Sequence, residues 1–198
     1  MITDIPNLLT LSRIVIIPIL VILVMIHTPL TDFIACLLFY VAGITDYLDG
    51  KLARAWAQLS NFGRMFDPIA DKLLVGAVLM VMAGYDRLPY ASIIPAIIIL
   101  SREILVSGLR EYLASYKISL PVTHLAKWKT TLQMLAIGFL LAGDTSAILL
   151  HISWFPMSLI GSILLWIAGL LTVITGWGYV HASLRHISQS SDSKSLTS

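Results

Sequence analysis

Four aspartates set the chemistry open to this chain. Asp46 and Asp49 are three residues apart and Asp67 and Asp71 four apart, so each pair shares one face of a helix. A tight reversal between the two helices would turn the pairs toward each other. Such a cage of carboxylates in an apolar chain is costly unless cations fill it. Oxygen-only ligands select hard cations such as Mg²⁺, Mn²⁺ or Ca²⁺ and argue against zinc, which takes His and Cys. The bland alternative is a salt-bridged loop in which the acids pair with Lys51, Arg54, Arg64 and Lys72.

The elements that must position these residues are membrane helices. Of 198 residues, 58% are apolar and 12% charged, the balance of a polytopic membrane protein rather than a soluble domain. The fold class expected is all-α, with six transmembrane helices. The first runs from Leu8 to Ile26 and carries Arg13, which costs a few kcal/mol unless it snorkels or meets an anion. A turn from His27 to Asp32 leads to a second helix, Phe33 to about Ala57, which holds Asp46 and Asp49 near its end. Gly43 and Gly50 lie on the face of these acids, where a small residue lets a helix or ligand approach. Gln58 to Gly63 reverses the chain, with Ser60 or Asn61 as the cap of a third helix that ends near Ala83. The fourth is expected from about Tyr90 to Leu113, the fifth from Thr123 to Gly143 and the sixth from Pro156 to Leu184. Residues 1–187 read as one membrane domain, and the Ser-rich stretch 188–198 as a disordered polar tail.

Charge placement orients the bundle. Twelve of the 13 basic residues fall on the side of the four aspartates, and Arg87 alone falls on the other. The positive-inside rule therefore puts the aspartates and both termini at the cytoplasmic face. Asp4, and the absence of a basic n-region, speak against a cleavable signal. Cys36 is a lone cysteine and can form no intramolecular disulfide, and the five histidines lack metal-ligand spacing. No internal repeat is present, which disfavours a transporter of the inverted-repeat kind. A divalent-cation carrier would also want its acids at the bilayer midplane, whereas these lie at one edge.

Asp46-x-x-Asp-Gly-x-x-Ala-Arg54, eight residues, and Gly63-x-x-x-Asp-x-x-x-Asp71 match at every fixed position a known signature. The chain in this respect resembles the CDP-alcohol phosphotransferase family. That resemblance implies a phosphotransferase acting on CDP-diacylglycerol, with an alcohol attacking the lipid-side phosphorus and CMP leaving. It implies that Asp46, Asp49, Asp67 and Asp71 hold two divalent cations, Mg²⁺ or Mn²⁺, and that Asp71 also takes the proton of the attacking hydroxyl. Gly50, Ala53 and Gly63 would leave room for the nucleotide, and Arg54 would clamp its phosphates. Pro6 to Arg13, Ser101 to Tyr112 and Lys127 to Met134 are similar to the glycerol-3-phosphate branch of the family. The acceptor so implied is sn-glycerol 3-phosphate, its phosphate read by Arg102, Arg110, Lys127 and Lys129. The same chemistry on phosphatidylglycerol or inositol phosphate is the alternative. Lipid headgroups are the competing partner of Lys127 and Lys129, and Glu103 or another acid that of Arg102. The resemblance further implies a homodimer among membrane lipids and no nucleic-acid partner.

Overall fold

The computed structural model describes residues 5–55, 61–115 and 123–195, with side-chain surroundings at 11–45, 66, 69–114 and 123–180. Six helices and no strand occur there: α1 (Ile5–Ile26), α2 (Pro29–Ala55), α3 (Asn61–Gly84), α4 (Ile93–Ser115), α5 (His124–Leu149) and α6 (Met157–Ser195). α1 packs on α2 and α3, α2 on α5, α5 along α6, and α6 on α4. The main apolar core runs through the bundle, with Leu20 and Val24 of α1 meeting Phe39, Val78, Met82, Ile99, Ile137 and Leu165, and a smaller cluster of Ala142, Ala147 and Met157 joins α5 to α6.

The outside of the bundle is as apolar as the inside. Val15, Ile22, Met80, Ile97, Ile104, Leu170 and Val173 are all exposed. Patches of this extent would drive a soluble protein to associate, but in lipid they are the solvated face. Exposed aromatic side chains gather toward the two ends: Tyr112 and Trp128 at one, Tyr85, Tyr90 and Trp154 at the other. That is where amphipathic rings settle at a membrane interface. Two helical stretches among the described residues, His124–Leu149 and Met157–Val180, are long and apolar enough by themselves to cross a bilayer. These observations describe a helical membrane protein.

The helix ends differ from the expected ones in informative places. α2 begins at Pro29, so Asp32 lies in its first turn rather than in a connection. A carboxylate is favoured there by the unpaired N–H groups of the helix start. Thr123 caps α5, its hydroxyl accepting from the amide of Ala126 at 3.3 Å. Gly143, the expected end of the fifth helix, is a break inside α5: at φ 58°, ψ 177° it holds a conformation open essentially to glycine alone. α6 continues through Ser195, past the expected end at Leu184 and into the stretch read as a tail. No Gly or Pro follows Gly178 to stop it.

α5 and α6 approach closely because of Gly161. A Cβ there would lie 2.8 Å from Leu140 Cγ and 3.0 Å from the Leu140 amide nitrogen, so only glycine fits without parting the helices. Hydroxyls on α6 look after themselves: Ser162 donates to the Ser158 carbonyl at 2.8 Å and Thr172 to that of Ala168 at 2.6 Å.

At the end opposite the aspartate signature stands Arg87, the one basic residue the sequence reading put on that side. It is buried, its Nη1 2.8 Å from Oδ1 of the fully buried Asp32. Asp32 Oδ2 also accepts from Thr145 at 2.7 Å and lies 2.9 Å from His27 Nδ1. Arg87 Nη2 donates to the Leu141 carbonyl at 2.9 Å, in the turn just before the break at Gly143. Burial pulls the guanidinium below its ordinary pKa and the Asp32 carboxylate pulls it back up. This cluster ties together the α1–α2 turn, the α3–α4 turn and the kink of α5.

Candidate active site

Helical backbone runs continuously through positions 46–55 at the end of α2, so Asp46, Asp49, Gly50, Ala53 and Arg54 keep the register that the signature requires. Gly63, Asp67 and Asp71 stand on α3 in the same way. The side chains of Asp46, Asp49, Ala53, Arg54 and Asp67 lie outside the described residues, as does the reversal 56–60. Asp71 is described, half-exposed at the mouth of a cleft between α3, α4 and α5. An all-carboxylate donor set at helical spacings of three and four fits Mg²⁺ or Mn²⁺, which take oxygen ligands.

Beside Asp71 the structure assembles a network of charges from three helices. Lys72 places its ammonium 3.2 Å from Asp71 Oδ2 and 3.0 Å from Glu103 Oε2. Arg102 Nη1 lies 3.1 Å from Glu103 Oε1, and Lys129, reaching across from α5, bonds to the same oxygen. One carboxylate thus gathers three cations. Lys129 is 2% exposed, so the sequence alternative of a lipid-headgroup contact does not describe it. Its ammonium is buried against Glu103 because an unpaired charge in that position would carry its full desolvation cost. With Asp71 counted as well, the five groups carry one net positive charge. If Asp71 serves metal ions instead, the remaining four carry two, the complement of a phosphate dianion.

Arg102 and Arg110, eight residues apart on α4, converge on α6. Their guanidinium carbons lie 5.4 Å and 5.6 Å from the centroid of the Tyr179 ring. Arg102 also reaches Thr175 Oγ1 at 3.4 Å, and its Nε has no hydrogen-bond partner. Gly176 makes this possible, since a Cβ there would come within 3.0 Å of Arg102 Cγ. The sequence reading placed Arg102 and Arg110 together, and the structure does so through an aromatic ring. Lys127 is exposed at the start of α5, two residues before the buried Lys129 and so on another face of the helix.

Three residues of this arrangement escaped the sequence reading as site residues. Glu103 figured only as a counter-charge for Arg102, although an acid within an apolar helix is itself a signal. Tyr179 lies in a glycine-rich part of α6 where no spacing marks it. Gln133 is 3% exposed on the face of α5 one turn beyond Lys129, and lines the same cleft as Asp71.

Comparison with known proteins accords with this geometry. The family model for CDP-alcohol phosphatidyltransferase matches residues 3–174, which cover both the aspartate signature and the cationic segments of α4 and α5. The chain is 45% identical to the CDP-diacylglycerol–glycerol-3-phosphate 3-phosphatidyltransferase of Rickettsia typhi, over 90% of this chain and 96% of that protein. It is 41% identical to the protein of the same name from Haemophilus influenzae, over 86% of this chain and 88% of the relative. With that of Cereibacter sphaeroides it shares 39% identity, over 93% and 97% of the two chains.

Proposed function

The chain belongs to the CDP-alcohol phosphatidyltransferase family, and from that membership we propose the reaction it catalyses: transfer of the phosphatidyl group of CDP-diacylglycerol to sn-glycerol 3-phosphate. The products are phosphatidylglycerophosphate and CMP, and the enzyme is a transferase of phospholipid biosynthesis. The observation that carries this acceptor is identity of 36–45% along almost the full length of relatives so named, through α4 and α5 as well as the signature.

Each part of the site has a role in that reaction. Arg54 grips the phosphates of the nucleotide, which a planar guanidinium does in a bidentate manner, while Gly50, Ala53 and Gly63 leave the space it needs. Asp46, Asp49, Asp67 and Asp71 would hold two divalent cations, Mg²⁺ or Mn²⁺, whose contribution when bound is to neutralise the pyrophosphate and acidify the attacking hydroxyl. Asp71 receives the proton of that hydroxyl. Arg102 and Arg110, fixed over Tyr179, bind the phosphate of the acceptor, with Lys127 at the rim. Lys129 and Lys72, drawn to Glu103, add positive potential behind it.

The membrane arrangement belongs to the same proposal. All six helices span, the aspartates and both termini face the cytoplasm of a bacterial inner membrane, residues 1–187 form the catalytic domain, and the protein works as a homodimer. On the six-helix reading of the sequence, 12 of the 13 basic residues fall on the side of the signature, which supports this sense of insertion. A substrate with phosphates at its head and acyl chains below meets charges at one edge of the bilayer and apolar helix faces beneath them.

The test is CMP release by purified protein from CDP-diacylglycerol with a panel of alcohols. Release with glycerol 3-phosphate, abolished by a chelator and by Asp71→Asn, is the expected result. Turnover with inositol phosphate or phosphatidylglycerol in place of glycerol 3-phosphate would overturn the acceptor, and parental turnover in Asp71→Asn would overturn the role of that carboxylate.

A further inference from the structure

The cleft between α3, α4 and α5 contains a buried polar atom that no described residue satisfies. Gln133 is 3% exposed, and its Oε1 is buried with no hydrogen-bond partner. Leaving such a buried acceptor unmade is costly, so its retention calls for a ligand or a function. The cleft it lines measures about 50 Å³ and is bounded by Asp71 on α3, Glu103 on α4 and Lys129 and Thr130 on α5. One water occupies about 10–15 Å³ by this measure, so the cleft admits a fragment of a few heavy atoms and no nucleotide.

We propose that Gln133 reads the non-reacting hydroxyl of the acceptor alcohol, accepting its hydrogen bond at Oε1. The inference rests on the reaction proposed above and goes beyond it by assigning the residue that recognises the polyol. Asp71 and the cationic network mark the two ends of the acceptor: a hydroxyl to be deprotonated and a phosphate to be held. In glycerol 3-phosphate the reacting hydroxyl is on the carbon farthest from the phosphate, and the middle carbon carries the second hydroxyl. Gln133 lies on the face of α5 that holds Lys129 one turn earlier, so it borders both ends of the cleft. A hydroxyl is the natural partner for it, being neutral, able to donate, and small enough for the space. The neighbouring cations are already committed: Lys129 is bonded to Glu103, and Lys72 to Glu103 and Asp71. A site built around a substrate hydroxyl discriminates strongly against an analogue lacking it, because the buried protein group is then left unpaired.

The probe is 3-hydroxypropyl phosphate, which keeps the phosphate and the reacting hydroxyl and lacks only the middle one. With the purified full chain, CDP-diacylglycerol and metal, kcat/KM for glycerol 3-phosphate should exceed that for the probe by about ten- to a hundredfold. In Gln133→Met, of similar volume, that ratio should fall to near one through loss on glycerol 3-phosphate alone, with KM for CDP-diacylglycerol unchanged. Should Gln133→Met not accumulate, Gln133→Asn, which withdraws the amide by one methylene, should show the same collapse. A parental ratio near one, or a ratio that survives both substitutions, overturns the role of Gln133 while leaving the reaction standing. Absence of CMP release with either alcohol overturns the reaction itself, and this inference with it.

Discussion

At the scale of single residues, Glu103 explains how so many cations can coexist in a low-dielectric bundle. Lys72, Arg102 and Lys129 would repel one another across the α3–α4–α5 cleft, and one carboxylate holds all three. Arg110 is different. It is exposed, and its guanidinium rests on the Tyr179 ring, so its charge is available to an incoming anion. Arg110→Ala should therefore raise KM for glycerol 3-phosphate about ten- to a hundredfold, the worth of one charge-assisted contact to a partly desolvated dianion. KM for CDP-diacylglycerol should hold, and Arg54→Ala should show the reverse pattern. Titrating each variant against each substrate checks this, and a defect of Arg110→Ala confined to CDP-diacylglycerol would move the residue to the donor site.

Among the elements, the end away from the signature is held by a buried charge cluster as well as by the apolar packing of Ala142, Ala147 and Met157. Asp32 starts α2, Arg87 sits in the α3–α4 turn, and Thr145 follows the break in α5, and all meet within hydrogen-bonding distance. Removing one partner of such a pair strands the other in the interior. Asp32→Ala should accordingly cost about 3–5 kcal/mol, seen as a lowered thermal unfolding midpoint in detergent. Replacing both partners, as in Asp32→Ala with Arg87→Met, should recover much of that loss, because no charge is then left buried. A double variant as unstable as the single one would show that the loss lies in packing instead. Activity per folded molecule should change little in either, since the cluster lies a bundle's length from Asp71.

For the whole molecule, the arrangement follows from which surfaces meet lipid and which meet water. Apolar side chains cover the outer faces of the helices, and aromatic rings gather toward both ends. Sidedness can be tested with single thiols in a Cys36→Ser background. Gln58→Cys should react with an impermeant maleimide only in inverted vesicles, and Asp86→Cys only in spheroplasts. Asp86 is exposed in the α3–α4 turn, so reagent can reach it without opening the bundle. Labelling in the opposite sense would reverse the proposed insertion.

The amino-acid sequence alone determined what depends on local spacing. Helix class follows from apolar runs of membrane length, and the aspartate signature from intervals of three and four, because both are set by the pitch of one helix. The start of the fifth helix at Thr123 was visible too, and Gly143 was marked, though as an end where the structure has a break, since threonine and glycine act on the backbone next to them. Pairings between helices were not visible in this way. The ion pair of Arg87 left no local trace, because nothing near it in the chain is acidic except Asp86, while its partner Asp32 lies more than fifty residues away. Glu103 read as a companion of Arg102, its neighbour, while its other bonds are to Lys72 and Lys129 on separate helices. The convergence of Arg102 and Arg110 on Tyr179, and the burial of the Gln133 amide against the cleft of Asp71, have the same origin. Each depends on the rotation and depth of one helix against another. Those are fixed by packing over the whole bundle, at positions such as Gly161 and Gly176 where a missing Cβ decides how closely two helices approach.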